Sequence, residues 1–255
     1  MNKVKTYFEK ERKRDHYAIR GKIKQFLETY RSEVELKNAN TKAFWSRRII
    51  QEYASLPASP VYKHKINLAA DFLTNIKGKI LDAGFGYGHL ERKISKNKNI
   101  QIYGVDISDS AVKRIRKEIK GDFRTGDILA LPHKSSFFDC IFALDVLEHI
   151  PPHKVFRAYR ELYRVLKKGG YLVVSVPLNE GLEEKIRKGE NPGAHLREYT
   201  ANIIRMEMKV SKFKVFKEDF LYAFEKNYAL KNLILKLSPI KLRDPNQIIL
   251  YSQKT

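Results

Sequence analysis

Two periods of apolar spacing alternate along this chain. From residue 79 onward, short apolar runs recur between stretches whose apolar residues keep a helical spacing. The runs at 80–81, 101–106, 123, 137–144, 171–176, 213–216 and 247–251 read as seven strands. The run at 137–144 is almost continuously apolar, as a strand buried on both faces should be. Between the runs, Leu90 and Ile94 lie on one helix face. Ala111, Val112, Ile115 and Ile119 form a second stripe, with Ser108 as N-cap. After Pro151-Pro152, the positions Val155, Phe156, Tyr159, Leu162, Tyr163 and Leu166 predict a helix that Gly169-Gly170 ends. Residues 178–199 are polar and irregular, a helix follows Thr200, and residues 222–242 again keep helical apolar spacing. Strands alternating with helices predict an α/β fold, a doubly wound parallel sheet with helices on both faces.

The first part of the chain is helical throughout. Residues 3–35 predict one long helix, or two interrupted near Gly21, with Ile19, Ile23, Phe26 and Tyr30 on one stripe. Residues 38–41 read as a turn ending in an N-cap. The next helix carries Phe44, Trp45, Ile49, Ile50 and Tyr53 and stops at Leu56-Pro57. Ser59-Pro60 opens another, which runs to about residue 76. These stripes are too narrow to form a core by themselves. Residues 1–58 are therefore expected to be a helical cap on a domain formed by residues 59–255. Tyr17, Trp45 and Tyr53 either roof a pocket there or pack as ordinary core.

Composition narrows the setting. In 255 residues with 43% hydrophobic content, a sizeable core is affordable, and the single cysteine excludes an internal disulfide framework. Cys140 falls inside a strand pattern and reads as a small core residue. A reducing, cytoplasmic location is the expectation, and no apolar run reaches membrane-spanning length. The net charge of +21 admits two readings. One is a solvated surface; the other is weak, non-specific contact with nucleic acid or an anionic membrane. Basic residues are spread along the whole chain and mixed with acids, which favours solvation.

The chemistry gathers around residues 79–88, Lys-Ile-Leu-Asp-Ala-Gly-Phe-Gly-Tyr-Gly. A short strand feeds a glycine loop, and a helix follows, so backbone N–H groups and a helix N-terminus face whatever binds. A dinucleotide loop wants G-x-G-x-x-G. Here the third glycine comes one place early, and His89 stands where that motif has glycine. Asp82 would repel a pyrophosphate, so the ligand end nearest it is cationic or zwitterionic. Asp106, Asp127 and Asp145 also fall at predicted strand ends, where ligands of such sheets bind. An acid in the place of Asp106 can hold both hydroxyls of a ribose.

This set of motifs, from about residue 59 to the C-terminus, resembles the class I S-adenosylmethionine-dependent methyltransferases. Within them it is similar to the small-molecule branch of the ubiquinone and menaquinone biosynthesis type. The resemblance implies a seven-stranded Rossmann-like sheet with its last strand inserted antiparallel, and S-adenosyl-L-methionine as cofactor. It implies that Gly84, Gly86 and Gly88 shape the loop around the methionine part, and that Asp82, two residues before the first glycine, is among the cofactor-binding residues. Asp106 would hold the ribose, with Ile107 beside it as a further cofactor-binding residue, Asp127 and Ile128 the adenine, and Asp145 and Val146 the methionine and sulfonium side. Phe85 replaces the small or cysteine residue usual in that place, and points either into the core or at the cofactor edge. His149, in Glu148-His149, is a candidate base or a loop cap. His195, in a His-x-x-x-Tyr-Thr stretch that resembles one of the family's, is a second candidate bordering the acceptor pocket. The acceptor is expected to be a small molecule methylated on carbon, oxygen or nitrogen.

Two alternatives are an RNA methyltransferase and a non-catalytic module that only binds the cofactor. No Asp/Asn-Pro-Pro-aromatic tetrapeptide is present, since Pro151-Pro152 sits between Ile150 and His153. Retention of every expected acid disfavours a binding module. No metal site is expected: His149 and His153 are four apart, but the prolines between them prevent one regular helix from carrying both.

Overall fold

The computed structural model describes residues 2–31, 40–191, 193–224, 226–238 and 243–255. The turn expected at residues 38 and 39, and the expected helix end at 32–35, lie outside them. So do the side chains of Ile50 and Tyr53.

Seven strands form one sheet: β1 Gly78–Ala83, β2 Ile100–Asp106, β3 Asp122–Thr125, β4 Phe138–Leu144, β5 Leu166–Pro177, β6 Phe213–Leu221 and β7 Gln247–Lys254. Their order is β3-β2-β1-β4-β5-β7-β6. The strands from β3 to β5 are parallel, and β7 inserts antiparallel between β5 and β6. The chain runs outward from β1 to β3 and then returns to the other side of β1. The switch in strand order therefore falls between β1 and β4, where a crevice opens at the carboxyl ends.

Period-two alternation sorts the strand side chains onto two cores. Ile80, Ile102, Cys140, Phe142, Val173 and Ile249 face one side. That side is covered by helices α3 Lys42–Glu52, α4 Pro60–Phe72, α5 His89–Ile94 and α6 Asp109–Glu118. Leu81, Ile141, Leu172, Val174, Ile248 and Leu250 face the other. It is covered by α2 Ile23–Glu28, α7 Val155–Val165 and α9 Ala201–Val210. Helix α1 Asn2–Ile19 lies against α9. The first expected helix is thus two, broken where Gly21 takes φ +64°.

Four details differ from the sequence reading. Helix α7 ends at Val165, not at the glycines, because Leu166 already pairs with Phe138. The register then shifts before Cys140 meets Tyr171, and Gly169-Gly170 lie within that irregularity. The supposedly irregular segment 178–199 contains α8 Leu182–Lys188. In the segment 222–242, the described helix is α10 Tyr228–Leu237. Helix α4 stops at Phe72, and a 3-10 turn Leu73–Asn75 leads on to the sheet.

Candidate functional site

The glycine loop connects β1 to α5 by left-handed turns. Gly84, Gly86 and Gly88 have φ of +93°, +55° and +78°, a region that penalises any side chain. A Cβ on Gly84 would lie 2.5 Å from Cγ2 of Val146, so loop and β4 end approach too closely for another residue. Phe85 turns into the core, 6% exposed, with its ring 5.5 Å from that of Phe123.

Asp106 ties the loop to the end of β2. Its carboxylate accepts from the backbone N–H of Gly86 and of Ser108, each at 2.8 Å. Burial pushes its pKa up to about 6, against the pull of those two donors. Ser108 caps α6 as expected, its hydroxyl accepting from the Ala111 N–H.

Beneath the loop, Asp82 is buried against Glu91. Burial raises both carboxyls above the usual range; the Glu91 charge adds to this for Asp82, while for Glu91 the Asp82 carboxyl and Arg92 partly offset it. Among the described residues, Oδ1 of Asp82 and both oxygens of Glu91 have no hydrogen-bond partner. A buried pair of acids suits a cationic group. Glu91→Gln removes the charge at constant shape. A raised folded pKa means stability present at low pH and lost as pH rises through the folded value. The variant is therefore expected to gain stability relative to the native protein between about pH 5 and 8, on the order of 2 kcal/mol. Thermal unfolding at both ends of that range checks it; an unchanged difference between the two proteins would refute the buried charge.

On the far side of β1, Asp145 sits at φ +55° at the end of β4. Burial alone would raise its carboxyl, but the Lys65 ammonium and the Ser175 hydroxyl hold it below the usual range. Oδ2 meets Lys65, itself 2% exposed, and Oδ1 accepts from Ser175 and Gln247, each at 2.7 Å. Asp127 is exposed, and its Oδ1 accepts from the Leu129 N–H at 2.8 Å, an Asx-type turn.

A cavity of about 240 Å³ joins these groups. Gly84, Gly86, Asp106, Ile107, Asp127, Ile128, Asp145, Val146 and His149 line it, and Trp45 and Ile49 of α3 close one wall. Asp82, Gly88 and His195 are not among its lining residues. Trp45 packs edge-on to His149 with ring centroids 4.7 Å apart. Burial, reinforced by His195, drives the His149 pKa down to about 3, so its imidazole is neutral. Nδ1 of His195 pairs with Oε2 of Glu180 at 2.6 Å. Lys65, Glu91, Glu180 and Gln247 escaped the sequence reading. Only Glu91 had a local sign: it lies one residue beyond Leu90 on the short helix after the loop.

The strand order and the acid-lined cavity at its switch point define a class I methyltransferase fold. Residues 81–174 match the family described as methyltransferase domain. The chain is 33% identical over 113 residues to a 2-methyl-6-phytyl-1,4-hydroquinone methyltransferase from Synechocystis, an alignment covering 39% of this chain and 35% of the relative. It is 30% identical over 142 residues to a 27-O-demethylrifamycin SV methyltransferase from Amycolatopsis mediterranei, covering 49% and 52%. The matches thus span about a third to a half of these curated relatives. Among solved structures it is similar to an N-methyltransferase from Bradyrhizobium japonicum in complex with S-adenosyl-L-homocysteine. The TM-score is 0.61 at 14% identity, over 84% of this chain and 98% of that one. This last likeness is one of fold.

Proposed function

We propose that this protein binds S-adenosyl-L-methionine in the cavity and transfers its methyl group to a small-molecule acceptor. The observation that carries the reading is the cavity itself. It runs from the glycine loop past Asp106 to Asp127 and Ile128, and is walled by Trp45 and Ile49. In this reading Asp106 and Ile107 hold the ribose, Asp127 and Ile128 the adenine, and Gly84, Gly86 and Gly88 the amino-acid end. Asp82 and Glu91, buried behind the lining, supply negative charge beneath that end for its ammonium. The loop fits: there is no space for a Cβ on Gly84, and the acids beneath have unmatched oxygens.

When bound, the cofactor supplies a methyl group already activated on a sulfonium. The chain's part is alignment and dryness. Lys65, Ser175 and Gln247 fix Asp145 beside the reacting end. Trp45 and Ile49 keep water out. His149 borders the acceptor end as a neutral ring, and His195 stands behind it, their ring centroids 4.9 Å apart. Residues 1–58 form the cap in this reading, and residues 59–255 the catalytic domain. The names of the relatives, a hydroquinone and a rifamycin methyltransferase, support a small acceptor. Among the described residues no helix is long and apolar enough to cross a membrane, and the single buried cysteine supports a cytoplasmic setting. The surface charge supports no more than weak polyanion contact.

Labelled S-adenosyl-L-methionine offered with a small-molecule extract, and separately with transfer and ribosomal RNA, tests the reading. Label is expected in the small-molecule fraction. Label in RNA would replace this reading with an RNA methyltransferase, and binding without transfer to any pool would leave a binding module.

A further inference from the structure

Behind the cavity, β4 ends in a 3-10 turn, Leu147–His149, that presents two side chains of different chemistry. The backbone N–H of Leu196 donates to the Glu148 carbonyl at 2.9 Å and so brings His195 alongside. One carboxylate oxygen of Glu148 and one ring nitrogen each of His149 and His195 lie within 4.8 Å of one another. Two further observations point to a ligand. Glu148 is 1% exposed, and its Oε2 has no hydrogen-bond partner among the described residues. A buried carboxylate oxygen left so is costly, and a cation removes the cost. Each histidine is also held from behind: Nδ1 of His195 by Glu180 at 2.6 Å, and Nδ1 of His149 facing the Ala194 carbonyl at 3.5 Å. Metal-bound histidines are oriented in this way, with carboxylate or carbonyl on one nitrogen and the ion on the other. Backbone strain marks the same place, since Ala194 adopts φ +52°.

We propose that Glu148, His149 and His195 form a site for a divalent first-row transition-metal ion, of the zinc, cobalt or manganese class. Two imidazoles and one carboxylate suit those ions and leave coordination positions open. His149 also lines the cavity, so the open positions border the acceptor space. An ion there draws an acceptor hydroxyl and makes its proton easier to lose, which directs the enzyme toward a phenol or diol. That acceptor role rests on the methyl-transfer reading, whereas the ion site does not. The histidine pair weighed from the sequence, His149 with His153, is not the one used, because His153 is exposed on the next turn.

The full chain, stripped with a chelator, is titrated with zinc and manganese by calorimetry and with cobalt by visible absorption. One equivalent is expected to bind, with the cobalt spectrum reporting nitrogen and oxygen ligands. Glu148→Gln and His195→Gln are expected to weaken binding at least tenfold, and His153→Ala to leave it unchanged. Gly193→Ala keeps all three ligands but would place a Cβ 2.5 Å from Nε2 of His195. It is expected to weaken binding and change the cobalt spectrum while the melting temperature holds. No stoichiometric binding, or equal binding by the native protein and all of these variants, overturns the site. Methyl transfer that is the same with and without the ion overturns its role toward the acceptor. Ion binding in a protein that transfers no methyl group overturns the functional reading and supports the site.

Discussion

Replacing Asp106 with alanine is expected to weaken binding of S-adenosyl-L-homocysteine at least about 100-fold. Its carboxylate is 5% exposed and already accepts from Gly86 and Ser108. Each oxygen keeps a further lone pair for a ribose hydroxyl. A hydrogen bond to a charged group contributes about 1.5–3 kcal/mol. Losing two therefore costs about 3 kcal/mol or more, and each 1.4 kcal/mol is about tenfold in affinity. The loop also loses its tie to β2, which adds to the effect. Asp106→Asn keeps the shape and one acceptor oxygen, so its loss should be smaller. The native protein should in addition bind less tightly as pH falls through about 6, the pKa to which burial pushes this acid. The sign follows because the hydroxyls donate, and only the ionised carboxylate accepts from both. The part of this slope due to Asp106 should disappear in Asp106→Asn. Calorimetry across pH 5 to 8 measures all three proteins, and an unchanged dissociation constant in folded Asp106→Ala would remove this residue from the site.

What could be read in the sequence was local. The strand, glycine loop and helix at 78–94 are contiguous, and their φ > 0 positions are glycines. The acids at 106, 127 and 145 follow apolar runs whose ends were visible. Helix α8 was also within reach. Gly189 ends it at φ +75° after a last turn holding Lys185, Arg187 and Lys188, a usual C-terminal pattern. Its brevity hid it, since seven residues give apolar periodicity little room. The rest depends on tertiary approach. Nothing near Asp145 announces Lys65, eighty residues earlier and buried on α4. Nothing near Glu148 announces that the backbone of Leu196 will bring His195 beside it. Spacing pairs His149 only with His153, which the prolines between them rule out, and spacing is blind to a histidine arriving from another segment. Trp45 had two readings that turn out compatible: it is 8% exposed in the core and also walls the cavity.

Glu207→Ala is expected to destabilise the protein by about 3–5 kcal/mol, the usual cost of leaving one member of a buried ion pair alone. Glu207 and Arg197 are both fully buried and bonded to each other. Three phenols converge on the same carboxylate: Tyr30 on Oε1, and Tyr159 and Tyr199 on Oε2 at 3.3 and 3.1 Å. Tyr30 comes from the N-terminal segment. Nearby, Tyr7 donates to the Leu196 carbonyl and Thr200 to Asp15 at 2.7 Å. This buried polar cluster therefore docks the first helices on α9 and on the segment that carries His195. At roughly 2–4 °C per kcal/mol for a chain of this size, the melting temperature should fall by about 10 °C. Substituting both partners, Arg197→Met with Glu207→Leu, removes the unpaired charge and should recover part of the loss. It cannot restore the bond to Tyr30, so the N-terminal helices should stay more open to protease in the double variant than in the native protein. Thermal unfolding and timed proteolysis of the two variants decide this. An undiminished melting temperature in Glu207→Ala would mean that the apolar contacts of Phe26 and Tyr30 hold the cap and the ion pair does not.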